Sequence, residues 1–103
     1  MIRRQRIQHF VDRVARAFQP ERVIPFGSYA YGRPTRDSDV DLLVAVPRTK
    51  HRSVQAAEIR RRIRAGFPLD LLVRSPRETY DRLSKGDFFI REIMERGQPL
   101  YEA

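Results

Sequence analysis

Asp39 and Asp41 open a run that is otherwise apolar, Val40 between them and Leu42-Leu43-Val44-Ala45-Val46 after them. The run is short, aliphatic and preceded by turn formers, so it reads as a buried strand. Side chains alternate along a strand, which places Asp39 and Asp41 on one face with Cα atoms roughly 6.5–7 Å apart. Two carboxylates at the mouth of a buried strand repel each other and lose hydration unless cations hold them. Mg²⁺, a hard ion that takes oxygen ligands, suits this arrangement, and a metal-bound nucleotide is the matching guest.

The preceding stretch has complementary chemistry. Val23, Ile24 and Phe26 read as the end of a buried strand that Gly27-Ser28 interrupts, and Gly32-Arg33-Pro34 with Asp37-Ser38 supplies turns before the aspartates. A glycine at a strand end lets the backbone approach a ligand closely, and a short helical turn after it offers N–H groups and the Ser28 hydroxyl to phosphate oxygens. Gly-Ser and Asp-x-Asp each carry little alone; their succession is far more specific. A third acidic residue, Asp70, is the one charge within Phe67-Pro68-Leu69-Asp70-Leu71-Leu72-Val73, a third strand. A lone carboxylate there is costly unless it is paired or metal-bound. Asp70 therefore either joins Asp39 and Asp41 in a three-carboxylate cluster or pairs with an arginine such as Arg74 or Arg36.

Helices account for most of the remainder. Ile7, Phe10, Val11, Val14 and Phe18 recur at intervals of three and four, predicting a core-packing helix over 2–18 that Pro20 stops; His9 reads as a surface or satisfied side chain. After a basic loop, Pro47-Arg48-Thr49-Lys50, a helix is expected from about Ser53 to Arg64, with Ser53 as N-cap, Ala56, Ile59 and Ile63 buried and Gly66 as the stop. Its Arg60, Arg61, Arg62 and Arg64 have two readings, a solvated face complementing the helix dipole or a docking surface for an acidic partner or RNA. Ser75-Pro76 opens a short helix through about Leu83, ended by Gly86. Residues 87–96 form another, with Phe89, Ile90, Ile93 and Met94 inward and Gly97 at its end, and 98–102 is a short extended segment.

Composition narrows the class. At 103 residues and 41% apolar content the chain reads as one domain without room for a second module. It has no cysteine, which excludes disulfides and thiolate zinc sites. No apolar run approaches the roughly 20 residues that span a membrane, and the N-terminus lacks a signal-peptide core, so a cytoplasmic protein is expected. The net charge of +8 favours polyanionic partners or reflects a well-solvated, arginine-rich surface.

The pattern Gly27-Ser28-x-x-x-Gly32, a short gap, then Ser38-Asp39-x-Asp41-Leu42-Leu43-Val44 resembles the nucleotidyltransferase fold of the DNA polymerase β superfamily. It is most similar to the minimal nucleotidyltransferases paired with HEPN-domain ribonucleases in prokaryotic toxin–antitoxin operons, and the likeness covers essentially the whole chain. The resemblance implies an α/β (α+β) domain over 1–103, with a small mixed three-stranded sheet packed with helices and room for a short C-terminal strand. It implies catalytic and metal-binding roles for Asp39, Asp41 and Asp70, and nucleotide binding by Gly27, Ser28, Gly32 and Ser38. It implies Mg²⁺, as two ions, with ATP as substrate. The implied partner is a HEPN-domain protein encoded by the adjacent gene, forming a hetero-oligomer in which this chain, as antitoxin, transfers AMP to a tyrosine of the toxin. Neutralisation by docking alone and nucleotidyl transfer to a small molecule such as an antibiotic are the alternatives. Many members carry arginine immediately before the second glycine, where this chain has Tyr31; Arg33 and Arg36 stand nearby as substitutes.

Overall fold

The computed structural model describes residues 1–47 and 50–103, so Arg48 and Thr49 of the expected basic loop lie outside the described residues. The first helix, α1 (Arg4–Phe18), buries Ile7, Phe10, Val11, Val14 and Ala15, the stripe that its periodicity predicts. It begins two residues later than expected and ends through Gln19 in a left-handed conformation (φ 50°), with buried Pro20 next in the chain.

Four strands follow, β1 (Arg22–Phe26), β2 (Val40–Ala45), β3 (Leu69–Arg74) and β4 (Tyr101–Glu102), in the order β3-β2-β1-β4. β1 pairs antiparallel with β2, placing Phe26 opposite Asp41, and β2 pairs parallel with β3, placing Asp41 beside Asp70. The three expected strands are joined by the short C-terminal strand for which the resemblance left room, which pairs antiparallel with Arg22 and Val23. That pairing extends no further along β1, which leaves Pro25 clear of β4; proline lacks the N–H that a full ladder needs.

Alternation divides the sheet into two apolar faces. Val23, Val40, Leu42, Val44, Leu71 and Val73 pack with α1 and with Ile59 and Ile63. Ile59 belongs to α3 (Arg52–Arg62), which makes the crossover that the parallel β2–β3 pair requires. Ser53 is not the N-cap of α3. His51 is, its Nδ1 accepting the Ser53 N–H at 3.2 Å and lying 2.8 Å from the Ser53 hydroxyl, which is thereby drawn away from capping. The helix also ends two residues early, at Arg62, and Gly66 (φ 76°) serves the turn beyond it.

The second face holds Ile24, Phe26 and Leu43, closed by Ile93 with Tyr31, Leu72 and Met94 around them. Ile93 comes from α5 (Phe88–Arg96), which follows α4 (Pro76–Ser84). Ser75 caps α4 as expected, in a reciprocal box: its hydroxyl accepts the Glu78 N–H at 3.0 Å while the Glu78 carboxylate accepts the Ser75 N–H at 2.8 Å. Asp87 caps α5 by accepting the N–H groups of Phe89 and Ile90. Of the residues expected inward on α5, Ile90 and Ile93 are buried and Met94 is half-buried. Phe89 stays 51% exposed and meets the core edge-on, its ring centroid 5.4 Å from that of Phe26. Because residues two apart share a face, Asp39 and Asp41 lie with Leu43, and Asp70 with Leu72, on the side that α5 covers.

Candidate active site

β1 delivers its chain to a turn at Gly27, whose backbone (φ 73°, ψ −158°) only glycine adopts without strain. The turn presses Gly27 against β2, and a Cβ there would overlap Asp41 Oδ2 and stand 3.1 Å from Asp41 Cγ. Backbone and carboxylate are thus in mutual contact. The single helical turn α2 (Ser28–Tyr31) follows, Ala30 and Tyr31 donating to Gly27 O, and Gly32 to Ser28 O, at 3.0 Å. The first N–H groups of a helical turn, here those of Ser28 and Tyr29, have no acceptor within it. The Tyr29 hydroxyl accepts the Ile2 N–H at 3.0 Å, tying the start of the chain to this turn.

Gly32 closes α2 with no positive φ, and a Cβ there would meet only Ser28 backbone atoms, at ordinary contact distances of 3.7 Å and more. Ser38 builds the next turn: its hydroxyl accepts the Thr35 N–H at 2.9 Å and its own N–H donates to Thr35 O. Among the four residues expected at the phosphates, Gly27 is therefore the one whose contact reaches the carboxylates, while Ser28 opens the turn, Gly32 closes it and Ser38 is engaged in the loop before β2.

The three aspartates come together on one face. Asp39 is exposed just ahead of β2, Asp41 is half-buried within it, and Asp70 is exposed on the adjacent strand in register with Asp41. Parallel neighbours stand about 4.8 Å apart, so Asp41 and Asp70 project side by side. Burial pushes the Asp41 carboxyl above its usual range, and the charges of Asp70 and then Asp39 push it further in the same direction. Among the described residues none of the three accepts a hydrogen bond or joins an ion pair. Among the described residues no ion pair joins Asp70 to Arg74 or Arg36, and Arg74 donates to Val73 O at 2.7 Å.

Like charges opposite one another in a sheet are destabilising, and among the described residues no ion pair relieves them. The side chains do not close into a cage: among the described residues no three His, Cys, Asp or Glu side chains form a group able to hold a metal ion as they stand. The donor set itself, all carboxylate oxygen, is the kind a hard divalent cation takes. Asp39, Asp41 and Asp70 would be its ligands.

A family profile for the nucleotidyltransferase domain matches residues 7–100, a span that includes α2 and all three aspartates. The chain belongs to the nucleotidyltransferase family. No curated protein and no solved structure matches it. The mixed sheet with five helices agrees with the nucleotidyltransferase fold, and the family assigns the chain to the transferases, with nucleotidyl transfer as the reaction class. Among the described residues, no helix is long and apolar enough to cross a membrane.

Of two neighbours of this site, Tyr31 stands out in the sequence only as a departure from the family pattern, and Arg96 does not stand out at all. Tyr31, the last residue of α2, packs into the second core with its hydroxyl buried and without a hydrogen-bond partner. Arg96, the last residue of α5, lays its guanidinium over the Tyr31 ring at 4.3 Å from the centroid. Nothing local marks Arg96 among the 21 basic residues of the chain, since only the docking of α5 on β1 brings it here.

Proposed function

We propose that this nucleotidyltransferase moves AMP from Mg²⁺-bound ATP to a hydroxyl of a protein partner, a tyrosine of a HEPN-domain toxin encoded by the adjacent gene, and so acts as its antitoxin. The observation that carries the chemistry is the group of Asp39, Asp41 and Asp70 on one face of the sheet, with Asp41 pressed against the Gly27 backbone at the start of α2. The choice of partner is supported by the likeness of the motif to the minimal nucleotidyltransferases. It is also supported by the surface: Phe88 and Phe89, 82% and 51% exposed at the start of α5, offer apolar contact to a protein.

In this reading Asp39 and Asp41 bind the nucleotide's metal, and Asp70 completes the ligands of a second ion. When bound, the ions neutralise charge on the reacting phosphate and lower the pKa of the attacking hydroxyl. Ser28, next to Gly27 at the start of α2, offers the terminal phosphates its hydroxyl and N–H. The acceptor oxygen forms a bond to the α-phosphorus in line with the leaving group. The bond between the α-phosphorus and the bridging oxygen breaks, pyrophosphate departs and the hydroxyl proton passes to solvent. A cation held by these carboxylates would favour the charged form of Asp41, against the burial and the neighbouring carboxylates that raise its pKa.

The test is intact mass spectrometry of the HEPN protein after incubation with this chain, ATP and Mg²⁺. A mass gain in AMP units, absent with Asp39→Ala/Asp41→Ala, is expected. A stable complex without any gain would replace transfer with neutralisation by docking, and turnover on a small molecule without the protein would displace the proposed acceptor.

A further inference from the structure

A triphosphate laid along α2 meets a turn with no charged side chain, since Ser28-Tyr29-Ala30-Tyr31 is neutral, and three carboxylates beyond it. Arg96 is held beside this turn by contacts on two sides. Its guanidinium lies 4.3 Å over the Tyr31 ring, and its Nη1 donates to Glu92 Oε1 at 3.0 Å one helical turn back. It also lines, with Pro25 and Ala30, a cavity of about 440 Å³ next to α2. Tyr31 links this cation to the acidic group. Its ring packs against Phe26 and Leu43, and Phe26 stands opposite Asp41 in the sheet; burial pushes its phenol above the usual range.

The Arg96 side chain remains 56% exposed. A guanidinium has five N–H donors, and the ion pair to Glu92 uses one of them, which leaves a planar fork suited to phosphate oxygens. Arg4, at the start of α1, lines the same cavity, and Arg33 and Arg36 follow α2 in the chain, but all three are exposed and nothing among the described residues holds any of them in place.

We propose that Arg96 is a nucleotide-binding residue of this site, presented on the Tyr31 ring to contact the β- and γ-phosphates of the bound triphosphate. The inference rests on the reading of α2 and the aspartates as a nucleotide site. Stacking on Tyr31 fixes the guanidinium plane, so that little freedom is lost when phosphate binds. The cation that serves the loop thus comes from the far end of the domain, and nucleotide binding is coupled to the seating of α5.

Calorimetric titration of the full chain with ATP and with AMP, each with Mg²⁺, separates the possibilities without requiring turnover. Arg96→Met keeps an apolar stem over Tyr31 and removes the charge. It is expected to weaken ATP binding by about 10- to 100-fold, the range for a lost charge-assisted hydrogen bond, and to change AMP binding less than about twofold. Arg96→Lys is expected to fall between, because a point charge replaces the stacked fork. Equal ATP affinity in Arg96→Met and wild type, with Asp41→Asn still weakened, would overturn the role of Arg96 and leave the site standing. Equal losses for ATP and AMP would also overturn it, since a packing defect does not distinguish the outer phosphates. Absence of Mg²⁺–ATP binding in the wild type would overturn the nucleotide site and this inference together.

Discussion

Replacing Gly27 by alanine tests the contact on which the site is built. Two separate penalties are expected. The backbone at φ 73°, ψ −158° lies in a region that is essentially glycine's alone, and holding an alanine there costs about 1–3 kcal/mol. The added methyl also occupies the space of Asp41 Oδ2, so the carboxylate must rotate away from its place beside Asp70. A domain of this size loses roughly 4–8 °C of melting temperature per kcal/mol, so the first penalty alone lowers the midpoint by roughly 4–24 °C. Gly32→Ala is the internal control, because its backbone is open to any residue and its Cβ would meet only ordinary contacts. Thermal unfolding followed by circular dichroism should therefore rank Gly27→Ala well below Gly32→Ala. In an Asp41→Ala background the steric share should vanish and the backbone share remain, giving a measurable coupling between the two positions. Equal melting of Gly27→Ala and wild type, or no coupling to Asp41, would refute the argument.

Three further outcomes follow from the same geometry. Asp41 has a raised folded-state pKa, so in the metal-free protein its contribution is most favourable below its ordinary value of 3.8 and is lost as pH rises through the raised value; Asp41→Asn should raise the melting temperature at pH 7 and leave it unchanged at pH 3. Mg²⁺ should raise the melting temperature of the wild type in a concentration-dependent way and have no such effect on a variant with Asp39, Asp41 and Asp70 all changed to Asn, read by differential scanning fluorimetry. Ser75→Ala removes the hydroxyl half of the α4 capping box and should cost about 0.5–2 kcal/mol in urea denaturation without altering nucleotide binding.

Where a signal is periodic or local, the sequence conveys it well. Alternation alone places Asp39 and Asp41 on one face, and the parallel register then sets Asp70 beside Asp41 as the cluster reading requires. The N-cap of α4 is equally legible, since Ser75-Pro76 with Glu78 is a local chemical pattern. Ser53 misled because its hydroxyl competes for a partner, and His51 next to it offered one. The short β4 was visible only as an extended segment, because two residues pair or fail to pair according to which edge the rest of the sheet leaves open. Phe89 fits the inward stripe of α5, yet it sits at the rim of the core, where its ring meets Phe26 by an edge and faces solvent on the other side. Arg96 on Tyr31 is a contact between distant segments of the chain, and no spacing rule encodes it.

The central claim is that the three aspartates serve transfer of a nucleotidyl group. Its most direct measurement is label transfer to the proposed HEPN-domain partner from ATP carrying the isotope at either the α- or the γ-phosphate, with wild type and Asp70→Ala compared. The account predicts label on the partner from the α-position only, released pyrophosphate in equal amount, and loss of both with Asp70→Ala. Label arriving from the γ-position, or undiminished transfer by Asp70→Ala, would contradict it.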